Sequence, residues 1–465
     1  MGGCPFHTDD RDSEAPEDPV EGERTHQWSS GRSIDRRAFL KSAVAIGGMS
    51  ALTAAMSVEA DGSDPSTTSP DGDPSNRPPQ QHLWSDAGYA DEHGNPAPPT
   101  HQLVLLLDYI GDDIDADRAR MEASFRQLED AFAYDQSEGL LFNVGYSPAY
   151  FKRHSTGQPK GVDITDPRAV SPYNDPEMDR QDVFLQLASD RASVVLAAEA
   201  ALEGNADTVN GVSVEDSLAE FCVVAERRSV FAGPGLPKER LADDVAEHID
   251  ETSPLSMGYD SLYTDSIPPE RRVTISEGPW ADGTVAMVSK LRLKLREWYE
   301  ERTEAERVQE MFAPDYTPED VGDFGEGLGE GSGREDGAEW SDELTDQTEA
   351  DAREKGVVGH SQKVSRARDD DFGVKLLRRD GDITVAGGKG GLSFVGLVEG
   401  ISDWFDVADA MYDPGLDGVL RDHDDTEGTD GHHPRSGISA RIDVLSRGHF
   451  LVPPRSLRAL PPSRP

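Results

Sequence analysis

The chain has 465 residues, of which 90 are Asp or Glu and 45 are Lys or Arg, so its formal net charge is −45. A field of that sign repels phosphate backbones and anionic lipid headgroups, which argues against nucleic-acid binding and electrostatic docking on membranes. Only ten of the basic residues are lysine, and acid excess with scarce lysine indicates adaptation to multimolar salt, where charges are screened within ~3 Å. The length predicts about two domains with additional terminal segments.

Residues 1–58 are predicted to be a leader with an export signal. Arg36 and Arg37 precede Phe-Leu-Lys and a modestly apolar stretch over 43–56, which is too short to span a bilayer comfortably. This arrangement resembles a twin-arginine signal. It predicts export of the folded protein by the twin-arginine translocase, to the extracellular space or the outer face of the cytoplasmic membrane. Residues 59–99 are rich in Ser, Asp, Pro and Gln without a period, which predicts a disordered linker.

The first domain is predicted to cover residues 100–235. Apolar runs predict buried strands, and apolar residues at helical spacing predict helices between them. The order β-α-β-β-α indicates a ferredoxin-like half, with helices on one face of an antiparallel sheet. The predicted strands cover 101–109, 140–146 and 182–188, and the predicted helices cover 115–132 and 192–202.

The second domain, predicted over residues 236–457, repeats this plan more loosely. It begins with a strand that runs on into a helix, and it ends with a short strand that two prolines terminate. The predicted elements are the strand and helix within 285–298, a strand at 391–398, a helix at 404–411 and a strand at 450–454.

Two segments of the second domain are predicted to be loops. Thirteen acidic residues and seven glycines crowd into 320–355, a composition that predicts a mobile, solvated loop without chemistry. The segment 422–434 contains His423, His432 and His433. A His-rich tract can bind metal, but its polar surroundings favour a flexible loop.

Five segments, taken in order, resemble those of the dye-decolourising haem peroxidases, and the resemblance covers about residues 100–457. It implies an α+β fold in which two ferredoxin-like halves pack their antiparallel sheets together, as in dimeric α/β barrels. It also implies haem b in the second half, hydrogen peroxide and an electron donor as partners, and it leaves homo-oligomers open. The segments are Asp182–Asp190, Gly278–Phe312, Gly359-His360 with Leu376–Asp380, Gly391–Val398 and Phe450–Pro454.

The resemblance assigns roles to three residues of the second half. His360 is the expected axial ligand of the haem iron, in keeping with the donor strength of a neutral imidazole. Arg378, eighteen residues later, is the expected distal arginine, which polarises peroxide and stabilises the charge on the departing oxygen. Arg379 would point the other way on an extended chain, towards structure or a haem propionate.

The distal carboxylate departs from the family's Gly-x-x-Asp-Gly pattern. The chain has Gly258, but Ser261 stands where the aspartate is expected, and Asp260 comes one residue early. Three alternatives follow: Asp260 substitutes through a local rearrangement, Asp265 reaches in, or the site lacks its proton shuttle.

An acid that orients His360 is also expected after the strand at 391–398. Glu399, Asp403 and Asp406 are the candidates. Two functions are therefore predicted. The first is an exported haem peroxidase that oxidises bulky electron donors, and the alternative is a weakly active or non-catalytic haem-binding protein on the same fold.

Overall fold

The structure is a computed structural model that describes residues 71–90, 96–155, 157–171, 174–259, 267–325, 337–369, 373–421 and 435–465. None of the helices within these ranges is both long and apolar enough to span a membrane. Several residues of the predictions lie outside the described residues, namely Arg36, Arg37, Asp260, Ser261, Asp265, His423, His432 and His433.

The described strands follow one another along the whole chain. They are β1 (His101–Tyr109), β2 (Leu141–Tyr146), β3 (Glu177–Met178), β4 (Val183–Ser189), β5 (Thr208–Val209), β6 (Val212–Ser213), β7 (Cys222–Phe231), β8 (Thr284–Leu293), β9 (Leu377–Arg378), β10 (Gly381–Val385), β11 (Lys389–Val398) and β12 (Ile442–Val452).

The described helices lie between these strands, and most of them belong to the second half. They are α1 (Ile114–Ala131), α2 (Pro148–His154), α3 (Ala192–Leu202), α4 (Leu236–Glu239), α5 (Asp243–Ala246), α6 (Leu295–Glu300), α7 (Glu304–Met311), α8 (Pro318–Val321), α9 (Gly337–Lys355), α10 (His360–Arg366), α11 (Ile401–Met411) and α12 (Pro414–Arg421).

Eight strands form a closed antiparallel barrel in the order β7-β1-β4-β2-β12-β8-β11-β10, and β10 pairs again with β7. Within each half the strand order is 4-1-3-2, the order of a ferredoxin-like sheet. The two joints between the halves are narrow, because each rests on one register pair, Leu451 with Tyr146 and Asp382 with Phe231. The predicted α+β fold with two ferredoxin-like halves is confirmed.

The strands alternate between the barrel interior and an outer helical layer. In β1, Val104 and Leu106 belong to the apolar cluster of the interior, whereas Leu105 and Leu107 belong to the cluster under the helices. The apolar run of β1 thus reflects a strand covered on both faces. On the first half, α1 places Phe125 and its neighbours directly on the sheet.

The C-terminal segment after β12 leaves the second half and packs on the first. Arg458 donates hydrogen bonds to Glu122 and Glu129 of α1, and Arg455 also binds Glu129. The Tyr146 hydroxyl donates to the backbone carbonyl of Arg458 at 2.6 Å. The last described residues therefore complete the core of the first half.

The prediction of a disordered linker over 59–99 is wrong for residues 71–90. His82 and Trp84 are buried, with 0% and 4% of their surface exposed. The backbone N–H of Trp84 donates to Glu270 at 2.8 Å, and the His82 ring bonds to the Thr274 hydroxyl at 2.8 Å. These contacts with distant residues hold the segment against the barrel.

The prediction of a mobile acidic loop over 320–355 is also wrong in part. Residues Gly337–Lys355 form helix α9, and Leu344, Thr348 and Ala352 are buried on it. Their spacing of four residues places them on one helix face. Most of the acids are exposed on the other faces, whereas Asp351 is buried. Apolar periodicity here prevails over an acidic composition.

Candidate functional site

An apolar pocket lies on the outer face of the second half, between the sheet and helices α10 and α11. Ala286 and Val288 of β8 face the barrel interior, so the alternate residues Met287 and Leu291 face the pocket. Its cavity volume is about 240 Å³, whereas an apolar cavity of about 150 Å³ already holds benzene. The pocket therefore suits a ligand larger than a single ring.

Most of the pocket wall is apolar, and a few charged or hydroxyl groups interrupt it. Such a wall favours a flat, largely apolar ligand with localised polar substituents. The apolar residues that line it are Leu255, Met257, Met287, Leu291, Leu293, Met311, Val364, Ala367, Val374, Leu376, Leu392, Phe394, Trp404, Val407, Met411, Ile438, Ile442 and Val444.

His360 is the first residue of α10, and polar contacts fix that helix. The Gln362 side chain accepts from the Gly359 N–H at 2.8 Å and donates to Asp351 of α9 at 2.6 Å. The Lys363 ammonium donates to the Met411 carbonyl at 3.0 Å. A Cβ on Gly359 would collide with the carbonyl of Phe312. These contacts place the His360 side chain on the pocket wall.

The His360 ring is neutral and available as a ligand. Burial, together with the charges of Arg378 and Lys363, lowers its pKa to about 3. Within the described ranges, no side chain or backbone group forms a hydrogen bond with the ring. A neutral imidazole with a free nitrogen lone pair is the form that binds a metal ion.

Arg378, Asp380 and Asp382 reach the pocket because they alternate along an extended segment. Arg378 is opposite Gly396 of β11, and Asp382 is opposite Leu392. The structure thus brings Arg378 and His360 together in one pocket, close enough for the arginine charge to lower the histidine pKa.

Arg379 points to the opposite side of the same segment. It forms a buried ion pair with Glu270, and its guanidinium carbon lies 3.8 Å from the centre of the Trp84 ring. Arg379 does not line the pocket. The prediction that Arg379 binds the cofactor is therefore not supported, and of the two expected roles the structural one is observed.

Asp382 lines the pocket with a buried carboxyl group, and the sequence analysis did not identify this residue. Its side chain is 4% exposed, and it accepts from the Ser256 N–H at 3.2 Å. Its other oxygen, Oδ1, has no hydrogen-bond partner among the described residues. Burial raises the pKa of Asp382 against the opposing effect of its hydrogen bonding with Ser256, and the resulting pKa is about 7.

Of the three acids expected to orient His360, two form contacts with other residues. Glu399 accepts from the Ser276 hydroxyl at 3.0 Å, and Asp406 binds Lys375 at 2.7 Å. In the described chain neither these two nor Asp403 forms a hydrogen bond with the His360 ring. The predicted orienting acid is thus not found.

Arg447 of β12 is a second buried residue in the pocket that carries no motif. It is 3% exposed and lines the pocket beside Trp404 and Ser289. Alternation along 378–382 is a sequence signal that finds Asp382, because it places that residue on the face of Arg378. No comparable signal marks Arg447, since its place depends on how β12 pairs with β8.

The fold and site define a closed barrel of two ferredoxin-like halves with an apolar pocket on the second half, lined by a neutral histidine and three arginines, Arg368, Arg378 and Arg447. The chain belongs to the family of unknown function DUF7405, whose model matches residues 99–454. No curated protein matches the chain.

Solved structures similar to this chain share little sequence identity with it. A dye-decolorizing protein from V. cholerae has 15% identity and a TM-score of 0.47, covering 78% of this chain and 97% of its own. The encapsulated DyP-type peroxidase from Mycobacterium smegmatis has 14% identity and a TM-score of 0.48, covering 79% and 97%. A dye-decolorizing peroxidase from Bacteroides thetaiotaomicron has 12% identity and a TM-score of 0.48, covering 85% and 99%.

Proposed function

We propose that the pocket binds haem b and that the protein is a haem peroxidase, which reduces hydrogen peroxide and oxidises bulky electron donors. One observation carries the proposal. The neutral His360 ring, which has no hydrogen-bond partner among the described residues, lines the same apolar pocket as Arg378, within reach of the arginine charge. A metal-binding nitrogen and an anion-stabilising guanidinium are thus presented to one ligand.

The residues present fit a haem. The His360 imidazole would bind the iron, and apolar side chains such as Met287, Leu291 and Phe394 would contact the macrocycle. When bound, the haem supplies a redox-active iron to which peroxide can bind.

The chain's own contribution is electrostatic and involves proton transfer. Arg378 would donate hydrogen bonds to peroxide and stabilise the negative charge on the departing oxygen as the O–O bond breaks. A carboxyl group would move a proton from one peroxide oxygen to the other. Asp382 is a suitable group, because a carboxyl group with a pKa near 7 can both accept a proton and donate it again. Each turnover converts one hydrogen peroxide to two waters, with two electrons and two protons from donor molecules.

Two substitutions test the proposal. His360→Ala should abolish haem binding, measured as the Soret absorbance of protein mixed with haem, because the ring supplies the ligand. Arg378→Leu should keep haem and slow its reaction with peroxide about 100- to 1000-fold, the usual cost of losing such a donor.

His248→Ala is the matched control, because His248 is a partly exposed histidine that contacts Glu300 away from the pocket. Normal haem binding by His360→Ala would refute the ligand assignment. Haem binding by the wild type without peroxide turnover would identify a non-catalytic haem-binding protein instead.

Export by the twin-arginine route and adaptation to salt complete the proposal, on the strength of Arg36, Arg37 and the net charge of −45. Replacing both arginines with lysine should retain folded protein inside the cell, and undiminished secretion would oppose the export proposal. The melting temperature should rise between low and multimolar KCl, because screening relieves self-repulsion. An unchanged melting temperature would oppose the adaptation.

A further inference from the structure

We infer that Arg447 binds an acidic substituent of the pocket's ligand, and that this subsite sets the orientation of a carboxylate-bearing tetrapyrrole. The inference rests on the proposed function, because the tetrapyrrole is the ligand proposed there.

The position of Arg447 is fixed from two sides. It lies opposite Ser289 in the β12–β8 register, and its Nε donates to the Ser289 hydroxyl at 3.2 Å. Its guanidinium carbon lies 5.2 Å from the centre of the Trp404 ring on α11. The terminal nitrogens are thus held at the pocket wall, although only 3% of the residue is exposed.

The charge of Arg447 lacks a counter-ion within the described residues, because no carboxylate there lies within 4 Å of it. Two other buried arginines are paired: Arg228 with Asp179 and Glu226, and Arg458 with Glu129. Acidic residues outnumber basic ones two to one in this chain, so counter-ions are plentiful. An unpaired buried charge costs several kcal/mol, and an anionic ligand group would remove that cost.

Tyr412 adds a hydroxyl group to the same subsite. It lines the pocket, and the charge of Arg447 opposes the rise that burial causes in the pKa of its phenol. Both residues line the pocket, so the N–H groups of Arg447 and the hydroxyl of Tyr412 would serve as donors to a ligand there. A carboxylate accepts such donors well, whereas the surrounding wall of Trp404 and Val444 is apolar.

The test is an absorption titration of the purified full chain with haem and with haem dimethyl ester, which lacks the two free carboxylates. The wild type should bind the diacid about 10- to 100-fold more tightly, the range expected for one charged hydrogen-bonded pair. Arg447→Leu should weaken diacid binding by that factor and leave ester binding unchanged. Arg447→Lys should keep part of the preference, because it keeps the charge.

Arg292→Leu is the matched control, because Arg292 lies on β8 but is paired with Asp443. The ligand-free Arg447→Leu protein should melt no lower than the wild type, since it loses an uncompensated charge; a purely structural arginine would give a clear drop. If Arg447→Leu does not fold, the diacid and ester comparison on the wild type and on Tyr412→Phe still decides.

The failures of the two proposals are distinguishable. Equal wild-type affinity for diacid and ester would overturn the Arg447 subsite and leave the haem site standing. Equal weakening of both ligands by Arg447→Leu would also overturn it, because the carboxylate would then not be the group recognised. Absence of binding by either ligand would refute the haem proposal and the subsite with it.

Discussion

The two halves of the barrel have the same strand order but differ in what covers their outer faces. On the first half, α1 and α3 lie directly on the sheet, and residues such as Met121, Phe125 and Leu128 fill the layer completely. On the second half, the covering helices stand away from β8 and β11 and leave the pocket. The same sheet thus serves as a packed core in one half and as the floor of a binding site in the other.

The difference originates in the connection after the first strand of each half. In the first half, α1 alone crosses the sheet between β1 and β2. In the second half, five helices from α6 to α10 lie between β8 and β10 among the described residues. Polar contacts such as Gln362 with Asp351 anchor them at their ends. A cover held by its ends can leave a cavity beneath it.

The largest expected effect comes from truncating one aromatic residue in each half. Phe125 is 1% exposed, with Phe142 and Arg458 against its ring, so Phe125→Ala should lower the free energy of unfolding by about 3–5 kcal/mol. Phe394 already faces the pocket, so Phe394→Ala should cost only about 1–2 kcal/mol, because fewer contacts are lost. Denaturant unfolding in multimolar KCl measures both. Equal losses would mean that the pocket is filled by side chains in solution.

A smaller effect is expected at Asp382, which is buried beside the pocket of the second half. The pKa of Asp382 in the folded protein is about 7, whereas its ordinary value is 3.8. Between these two pH values the folded protein therefore holds a proton that the unfolded chain has lost. The stability from this group is complete below pH 3.8 and is lost as the pH rises to about 7. Asp382→Asn removes this loss, so the variant should gain up to about 4 kcal/mol relative to the wild type between pH 4 and pH 8.

Unfolding measured at both pH values checks this expectation, with Asp380→Asn as the control on the same strand face. Asp380 is only partly buried, so its variant should change the comparison far less. Parallel pH profiles of Asp382→Asn and the wild type would show that Asp382 is solvated and that the pocket edge is open.

Most of the barrel was predictable, because local periodicity marks strands such as β1 and β4. Strand β7 was not predicted, because Glu226, Arg227 and Arg228 interrupt its apolar pattern. In the folded chain, Glu226 forms an ion pair with Lys290 at 2.9 Å, and Arg228 forms one with Asp179. These partners are distant in sequence, so no local pattern could reveal that the charges are tolerated in a barrel wall.

The candidate site was predictable only where a motif marks it. His360 and Arg378 came from the family resemblance, and the structure places both in one pocket. Asp382 and Arg447 came from tertiary structure, because their chemistry depends on burial and on the lack of an ion-pair partner among the described residues. The direction of Arg379 also depended on a distant acid, Glu270, that became its partner only on folding.

The C-terminal segment has a consequence for the order in which the chain folds. Glu129 accepts a hydrogen bond from the guanidinium of Arg458, which lies 329 residues later in the sequence. The Tyr146 hydroxyl accepts one from the backbone N–H of Leu460. While the ribosome is still making the second half, these buried groups of the first half have no such partners. The first half therefore cannot reach its final packing until the segment after β12 has been synthesised. Such long-range closure slows folding and lengthens the exposure of unfinished surfaces.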